Sequence, residues 1–202
     1  MNTSFDFFTL SIFIECEFEQ ILESLKQHPY YLNEIGTDVI DIYKDSLHLE
    51  KYFNPEPGGH YERFSWWTNK LYSNKVFLTS NLCDGLYSTS KVIRELSHCS
   101  LIRIAMSTST KNDYNCFWFE FISQMRERRI IYAIKEERWV FYEEGDVLQF
   151  ENPDYYKRRK IKDRLNSEII IEYLSKCGIN LFDIDFDVEQ CMTLERKAWN
   201  SV

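Results

Sequence analysis

The chain has 202 residues, a formal net charge of −8, and 15 Phe, 13 Tyr and 5 Trp, but only six Gly and four Pro. Phosphate-binding loops, nucleophile elbows and dinucleotide turns need glycine where the backbone approaches a ligand, and no such catalytic signature is recognisable. A hydrophobic fraction of 44% and a charged fraction of 28% are typical of a globular protein and exclude extensive disorder. No apolar stretch approaches the roughly 18 residues of a membrane span.

The amino-terminal residues contain neither a basic leader nor a cleavage site, so they predict no secretory signal. The six cysteines form no Cys-x-x-Cys pair and lie largely in apolar segments, a pattern typical of buried, reduced thiols. We therefore expect a cytoplasmic protein without a membrane partner, folded as one domain over residues 1–202.

The first half of the chain predicts an alternation of strands and helices. Apolar residues at every second position predict a strand over residues 8–14, and a one-sided apolar pattern predicts a helix over 17–28, which Pro29 ends. The next predicted elements are a short strand at 39–43, a loop at 54–59, a helix at 61–72, a strand at 75–80 and a helix at 86–98.

The second half predicts a meander followed by a long helix. Strand-like segments with short links occur at residues 101–107, 117–122, 129–135 and 138–142, which predicts antiparallel pairing. Asn152 as N-cap, Pro153 in the first turn and Gly178 after the last turn predict a helix near 153–177. We therefore predict an α+β fold, with an antiparallel sheet that forms a meander in its central to C-terminal part and is covered by helices.

Cys83 and His98 are the residues that would support catalysis. A thiol nucleophile with a histidine base predicts a small-pocket hydrolase or transferase, although a thiol that ends a strand is more often a small buried hydrophobic group. With Cys99 and Cys116 they form the one conceivable Cys/His metal cluster, but their spacing matches no zinc pattern. The sequence therefore predicts no metal and no cofactor.

The run Lys157-Arg158-Arg159-Lys160 is basic and could contact phosphates. Consecutive residues point to different sides of a helix, however, and the chain as a whole is acidic. We interpret the run as the solvated start of a helix. No nucleic-acid partner is expected.

Acidic residues concentrate at the start of the chain, where residues 1–60 carry 11 acids and 3 bases, a net charge of −8. This asymmetry favours a basic partner, although charge runs are often only a solvated surface. Trp66 and Trp67 follow on a predicted helix, where neighbouring side chains point about 100° apart. Two alternatives follow: one tryptophan is exposed as an aromatic anchor, or both are buried over the sheet. The predicted partner-binding residues are Glu34, Asp38, Asp41, Asp45, Glu50, Glu56, Trp66 and Trp67.

The C-terminal third contains five short stretches: Arg128-Arg129-Ile130-Ile131, Arg138-Trp139-Val140-Phe141-Tyr142-Glu143-Glu144-Gly145, Phe150-Glu151-Asn152, Tyr155-Tyr156 and Lys162-Asp163-Arg164-Leu165. Together they resemble small bacterial immunity proteins, the cytoplasmic antitoxins of contact-dependent and polymorphic toxin systems. The resemblance implies that the chain is not an enzyme. It implies neutralisation of a cognate toxin domain, here expected to be basic, by tight non-catalytic binding.

The binding protein and the alternative enzyme predict different surfaces. A binding protein should present a flat or ridged acidic patch with exposed aromatic side chains. An enzyme that uses Cys83 and His98 should bring titratable groups together in a cleft.

Overall fold

A computed structural model describes residues 6–55, 61–107 and 115–198. In these residues, nine strands pair antiparallel in one sheet, together with three α-helices. The strands are β1 (Phe7–Ile14), β2 (Ile40–Lys44), β3 (Arg63–Asn69), β4 (Lys75–Ser80), β5 (Ser100–Ser107), β6 (Asn115–Ile122), β7 (Arg128–Lys135), β8 (Trp139–Glu144) and β9 (Val188–Arg196). The helices are α1 (Phe18–Gln27), α2 (Tyr87–Ser97) and α3 (Ser167–Lys176). The strand order is β2-β9-β3-β4-β1-β5-β6-β7-β8.

The central strand β1 is buried on both faces of the sheet. Leu10 and Ile12 pack in a core with the apolar side of α3. Phe13 packs on the other face with α1 and α2, and Ser11 Oγ lies 2.9 Å from Ser90 Oγ of α2. Each large apolar side chain that is fully buried in this way stabilises the fold by about 1.5–3 kcal/mol relative to exposure.

The predicted α+β class and the meander are confirmed: β5, β6, β7 and β8 are consecutive antiparallel neighbours. The predictions for the strands now labelled β1, β2 and β4 and for helices α1 and α2 are also confirmed within about two residues. The helices lie on both faces of the sheet, because α1 and α2 contribute to one core and α3 to the other.

The helix predicted over residues 61–72 is wrong. This segment forms β3, because Phe64, Trp66, Trp67 and Thr68 are residues that favour strands and neighbours on a strand point to opposite faces. Trp66 packs against Phe64 in the α1/α2 core, and Trp67 stacks on Phe77 in the α3 core. Both tryptophans are fully buried, so the expectation of an exposed aromatic anchor at this pair is corrected.

The prediction of a long helix near 153–177 is correct only for its last part, since α3 begins at Ser167. Asn166 is its N-cap and accepts a hydrogen bond from the Ile169 N–H at 2.9 Å, which satisfies a donor at the helix start. Residues 153–157 form turns instead, and Tyr156 there hydrogen-bonds to Glu151 and Tyr173. Gly178 follows the helix with a left-handed φ of 72°, as predicted.

Strand β9 was not predicted and forms the last described element, between β2 and β3. No helix in residues 6–55, 61–107 or 115–198 is both long and apolar enough to span a membrane.

Candidate functional site

Three aromatic side chains stack across the β8 end of the sheet. Trp118 on β6, Tyr132 on β7 and Tyr142 on β8 occupy directly paired positions. The ring centroids are 5.0 Å apart for Trp118 and Tyr132, and 5.1 Å apart for Tyr132 and Tyr142. We call these three residues the aromatic ladder. Its outer end is solvent-accessible, because Tyr142 is 40% exposed and the neighbouring Val140 is 41% exposed.

A buried carboxylate lies beside the aromatic ladder. Glu120 is fully buried and pairs with Arg128 at 2.7 Å, and with Arg103 and Lys91 at 3.4 Å each. Lys91 and Arg103 also lie over the Tyr87 ring, 4.0 Å and 4.6 Å from its centroid. One acid therefore pairs with three cations, and two of them, Lys91 and Arg103, are also held against the Tyr87 ring.

A cavity of about 360 Å³ adjoins the aromatic ladder and is lined by Tyr87, Arg103, Trp118 and Cys83 among other residues. We call it the Trp118 cavity. Within the described part of the chain, Trp118 Nε1 and Arg103 Nε have no hydrogen-bond partner. Both groups are donors, and both atoms are themselves buried.

The enzyme alternative requires Cys83 and His98 to meet, and the structure separates them. Cys83 precedes α2 and His98 follows it, so roughly 16 Å of helix lies between their backbones. The Cys83 thiol donates to the Pro55 carbonyl at 3.0 Å. Burial, and after it the charge of Asp84, raises the pKa of this thiol, which is the opposite of what an activated nucleophile needs.

A second cavity, of about 320 Å³, lies at the C-terminal end of α1 and the N-terminal end of α2. It is lined by His28, Tyr31, Glu62 and Asp84 among others. We call it the Tyr31 cavity. Asp84 also lines the Trp118 cavity, so the segment before α2 separates the two. Gly85 and Leu86 in that segment both adopt left-handed φ, 59° and 57°. The Leu86 N–H donates to Asp84 Oδ1 at 3.0 Å, which helps to hold the Asp84 carboxylate in place.

Of the acids predicted to bind a partner, Glu34, Asp41 and Asp45 lie at or near the β2 edge of the sheet and have cationic neighbours. Glu34 pairs with Arg196. Asp41 lies 2.8 Å from Lys197 and Asp45 lies 3.6 Å from Arg63. Part of the charge counted along residues 1–60 is therefore neutralised by Arg63 of β3 and by Arg196 and Lys197 at the end of β9.

Of the remaining predicted residues, Asp38 is exposed and Glu50 lies 3.2 Å from His48. Glu56 lies outside the described residues. The role of these acids in binding stays a prediction. Trp66 and Trp67 are buried on opposite faces of β3 and do not join them at the surface.

The aromatic ladder was missed at the sequence level, although the pattern contains a signal for it. On β6, Phe117, Phe119 and Phe121 belong to the α3 face, so Trp118 belongs to the other. If the hairpins of the predicted meander had been aligned, Tyr132 and Tyr142 would have fallen beside Trp118 on that face.

Among the described residues, no group of three or more His, Cys, Asp or Glu side chains could hold a metal ion. All six cysteines, which lie within this part of the chain, are free thiols. Comparisons with protein-family models, curated proteins and solved structures found no match to the chain.

Proposed function

We propose that this protein is a non-catalytic binding protein of the immunity type, which neutralises a toxin domain by covering part of its surface. The observation that carries the proposal is the aromatic ladder of Trp118, Tyr132 and Tyr142. Stacked rings open to solvent at Tyr142 are suited to a protein contact, because Trp and Tyr dominate interface hot spots.

The aromatic ladder also favours tight binding because its rings are ordered before a partner binds. Tyr132 is stacked on both sides, and the Tyr142 hydroxyl donates to Glu144 at 2.6 Å. Side chains that are ordered before binding lose less conformational entropy when a partner arrives. A preformed aromatic surface therefore supports tight binding without any chemical step.

Charge supports the choice of partner. The chain carries a net charge of −8, and a field of this sign attracts a basic toxin domain and speeds its association. The cytoplasmic location expected from the sequence is part of this proposal, since an antitoxin of this kind acts where the toxin acts.

Co-expression with the product of the neighbouring gene, as the candidate toxin, tests the proposal. The wild-type chain should restore growth and form a complex with the purified toxin domain. The double substitution Tyr132→Ala/Tyr142→Ala should weaken the complex at least about tenfold, equivalent to about 1.4 kcal/mol.

Phe186→Ala is the matched control, because Phe186 is a 67% exposed aromatic residue outside the ladder, and it should leave affinity unchanged. If the wild-type chain neither rescues growth nor binds the toxin, the proposed function is wrong. If it does both and the double variant equals the control, the function stands and the proposed surface is wrong.

A further inference from the structure

The Tyr31 cavity is built around a buried carboxylate with one unused oxygen. Glu62 is only 3% exposed. The Tyr31 hydroxyl donates to Glu62 Oε1 and also lies 3.3 Å from the Thr89 hydroxyl. Glu62 Oε2 lies 3.7 Å from Arg196 Nε, but it accepts no hydrogen bond from the described residues. A buried carboxylate oxygen without a donor is costly unless something supplies one.

His28 brings an unused donor to the same cavity. His28 is only 8% exposed, and its Nδ1 accepts a hydrogen bond from the Tyr30 N–H at 3.1 Å. An imidazole that accepts at Nδ1 is neutral and carries its hydrogen on Nε2. Nε2 has no partner among the described residues. At this cavity, the buried atoms His28 Nε2 and Glu62 Oε2 therefore make no hydrogen bond within the described residues, and Glu62 Oε2 has the Arg196 ion pair alone.

The charged, apolar and aromatic groups of the lining indicate which kind of ligand it fits. It contains the carboxylates of Glu62 and Asp84, and Leu82 and Leu86 supply apolar wall. Arg196, which pairs with Glu62 and lies 4.8 Å from the Tyr30 ring centroid, is not part of this lining. Tyr30, which is 46% exposed, and Tyr31 supply aromatic wall. Aromatic faces and carboxylates together attract cations, while apolar walls suit the methylene groups of a basic side chain.

We propose that the Tyr31 cavity binds a basic amino acid, with its ammonium or guanidinium group at Glu62 and Asp84 and an oxygen acceptor at His28 Nε2. The basic amino acid is either free or a residue on the surface of a protein. This site is separate from the aromatic ladder and stands whether or not a toxin is the partner.

The test is titration of the purified full chain with L-arginine, L-lysine and neutral L-citrulline, followed by amide chemical shifts in NMR spectra. N-acetyl-arginine-methylamide represents an arginine within a protein. Arginine or lysine should produce saturable shifts at residues 28–31, 62 and 82–89. Citrulline should bind at least tenfold more weakly, because it keeps the shape of arginine and lacks the charge.

Comparison of the ligands identifies the source. Tighter binding of a free amino acid than of N-acetyl-arginine-methylamide supports a small-molecule ligand, and the reverse order supports a residue of a protein. Absence of shifts at these residues with every basic probe overturns the site. Equal binding of citrulline and arginine overturns its preference for a cation.

Variants give an independent measurement. Asp84→Asn keeps the Oδ1 atom that accepts the Leu86 N–H and should weaken arginine binding severalfold in a folded protein. Glu62→Gln should weaken it at least tenfold, with its fold checked by the same spectra. Glu168→Gln removes an exposed carboxylate outside the cavity and should change nothing. If Asp84→Asn and Glu62→Gln, both folded, bind arginine as the Glu168→Gln control does, the proposal is wrong.

Discussion

Buried ion pairs hold individual side chains of this protein in position, and Glu120 is an example because it is buried and pairs with several basic residues. Its carboxylate is fully buried and meets Arg103, Arg128 and Lys91. Arg103 is itself only 6% exposed, so it depends on this carboxylate for charge compensation. Removing one partner of a buried pair costs far more than removing one partner of an exposed pair.

We expect Glu120→Gln to lower the free energy of unfolding by about 3–5 kcal/mol, because it leaves a buried guanidinium without its anion. Glu23→Gln is the matched control. Glu23 pairs with Lys26 at 2.8 Å, but the two side chains are 61% and 49% exposed, so the loss should be below about 1 kcal/mol. Urea unfolding of both variants measures the difference. Equal losses would show that Glu120 does not hold the cluster.

His28 should make stability depend on pH. Burial lowers the pKa of His28 from its ordinary 6.5, so the folded state favours the neutral ring. The stabilisation is therefore complete above about pH 6.5 and is lost as the pH falls through the lowered pKa. His28→Asn keeps an acceptor for the Tyr30 N–H and cannot titrate.

Urea unfolding at pH 7.5 and 5.0 should show a larger loss on acidification in the wild-type chain than in His28→Asn. The comparison isolates His28, because the pKa of Glu62 is raised by burial in both proteins and works in the opposite direction. Identical losses would contradict the account of His28.

At the scale of elements, local patterns predicted what local interactions decide. The alternation in β1 and the one-sided patterns of α1 and α2 were sufficient for their assignment. The prediction of a helix over 61–72 was wrong because Trp66 and Trp67 are buried on opposite faces of the sheet. A strand with one face exposed to solvent would alternate buried and exposed residues, and an amphipathic helix would bury one side only. Strand β9 pairs with β2 and β3, more than 100 residues earlier in the chain, and its own residues alternate only weakly between buried and exposed.

The candidate sites were less predictable for a related reason. The sequence indicates Cys83 only as a thiol nucleophile, a chemistry that requires His98, and His98 lies beyond the far end of α2. The Tyr31 cavity joins the end of α1, Glu62 before β3 and the start of α2. Convergence of such distant segments depends on strand order, which a single sequence does not reveal.

The turn before α2 offers a test at this scale, since Gly85 is restricted by both conformation and space. Its φ is 59°, and a Cβ built there would lie 2.7 Å from Thr9 Cβ. Gly178, with φ 72°, has nothing within 4 Å of such an atom. Gly178→Ala should therefore cost about 1–2 kcal/mol from backbone strain alone.

Gly85→Ala should cost about 1–3 kcal/mol more than Gly178→Ala, because overpacking against Thr9 adds to the strain. Thermal or urea unfolding of the two variants measures the gap. The same destabilisation in both would mean that Thr9 moves aside freely and that the turn is not tightly packed.

At the scale of the whole molecule, the two surfaces considered for binding lie far apart. Glu34, Asp38, Asp41 and Asp45 are at or near the β2 edge, and the aromatic ladder is at the β8 edge. With strands about 4.8 Å apart, the two edges are separated by roughly 38 Å along the sheet. A partner of ordinary size with one contact patch would therefore cover one edge and leave the other accessible.

Footprinting of the complex with the candidate toxin domain is the most direct test of the proposed surface. Hydroxyl-radical labelling and hydrogen exchange should show protection at Tyr132, Tyr142 and the amides of β7 and β8, with Asp38 and the β2 edge as reactive as in the free chain. Protection confined to residues 34–50, with Tyr132 and Tyr142 still fully labelled, would contradict it and assign binding to the acidic edge.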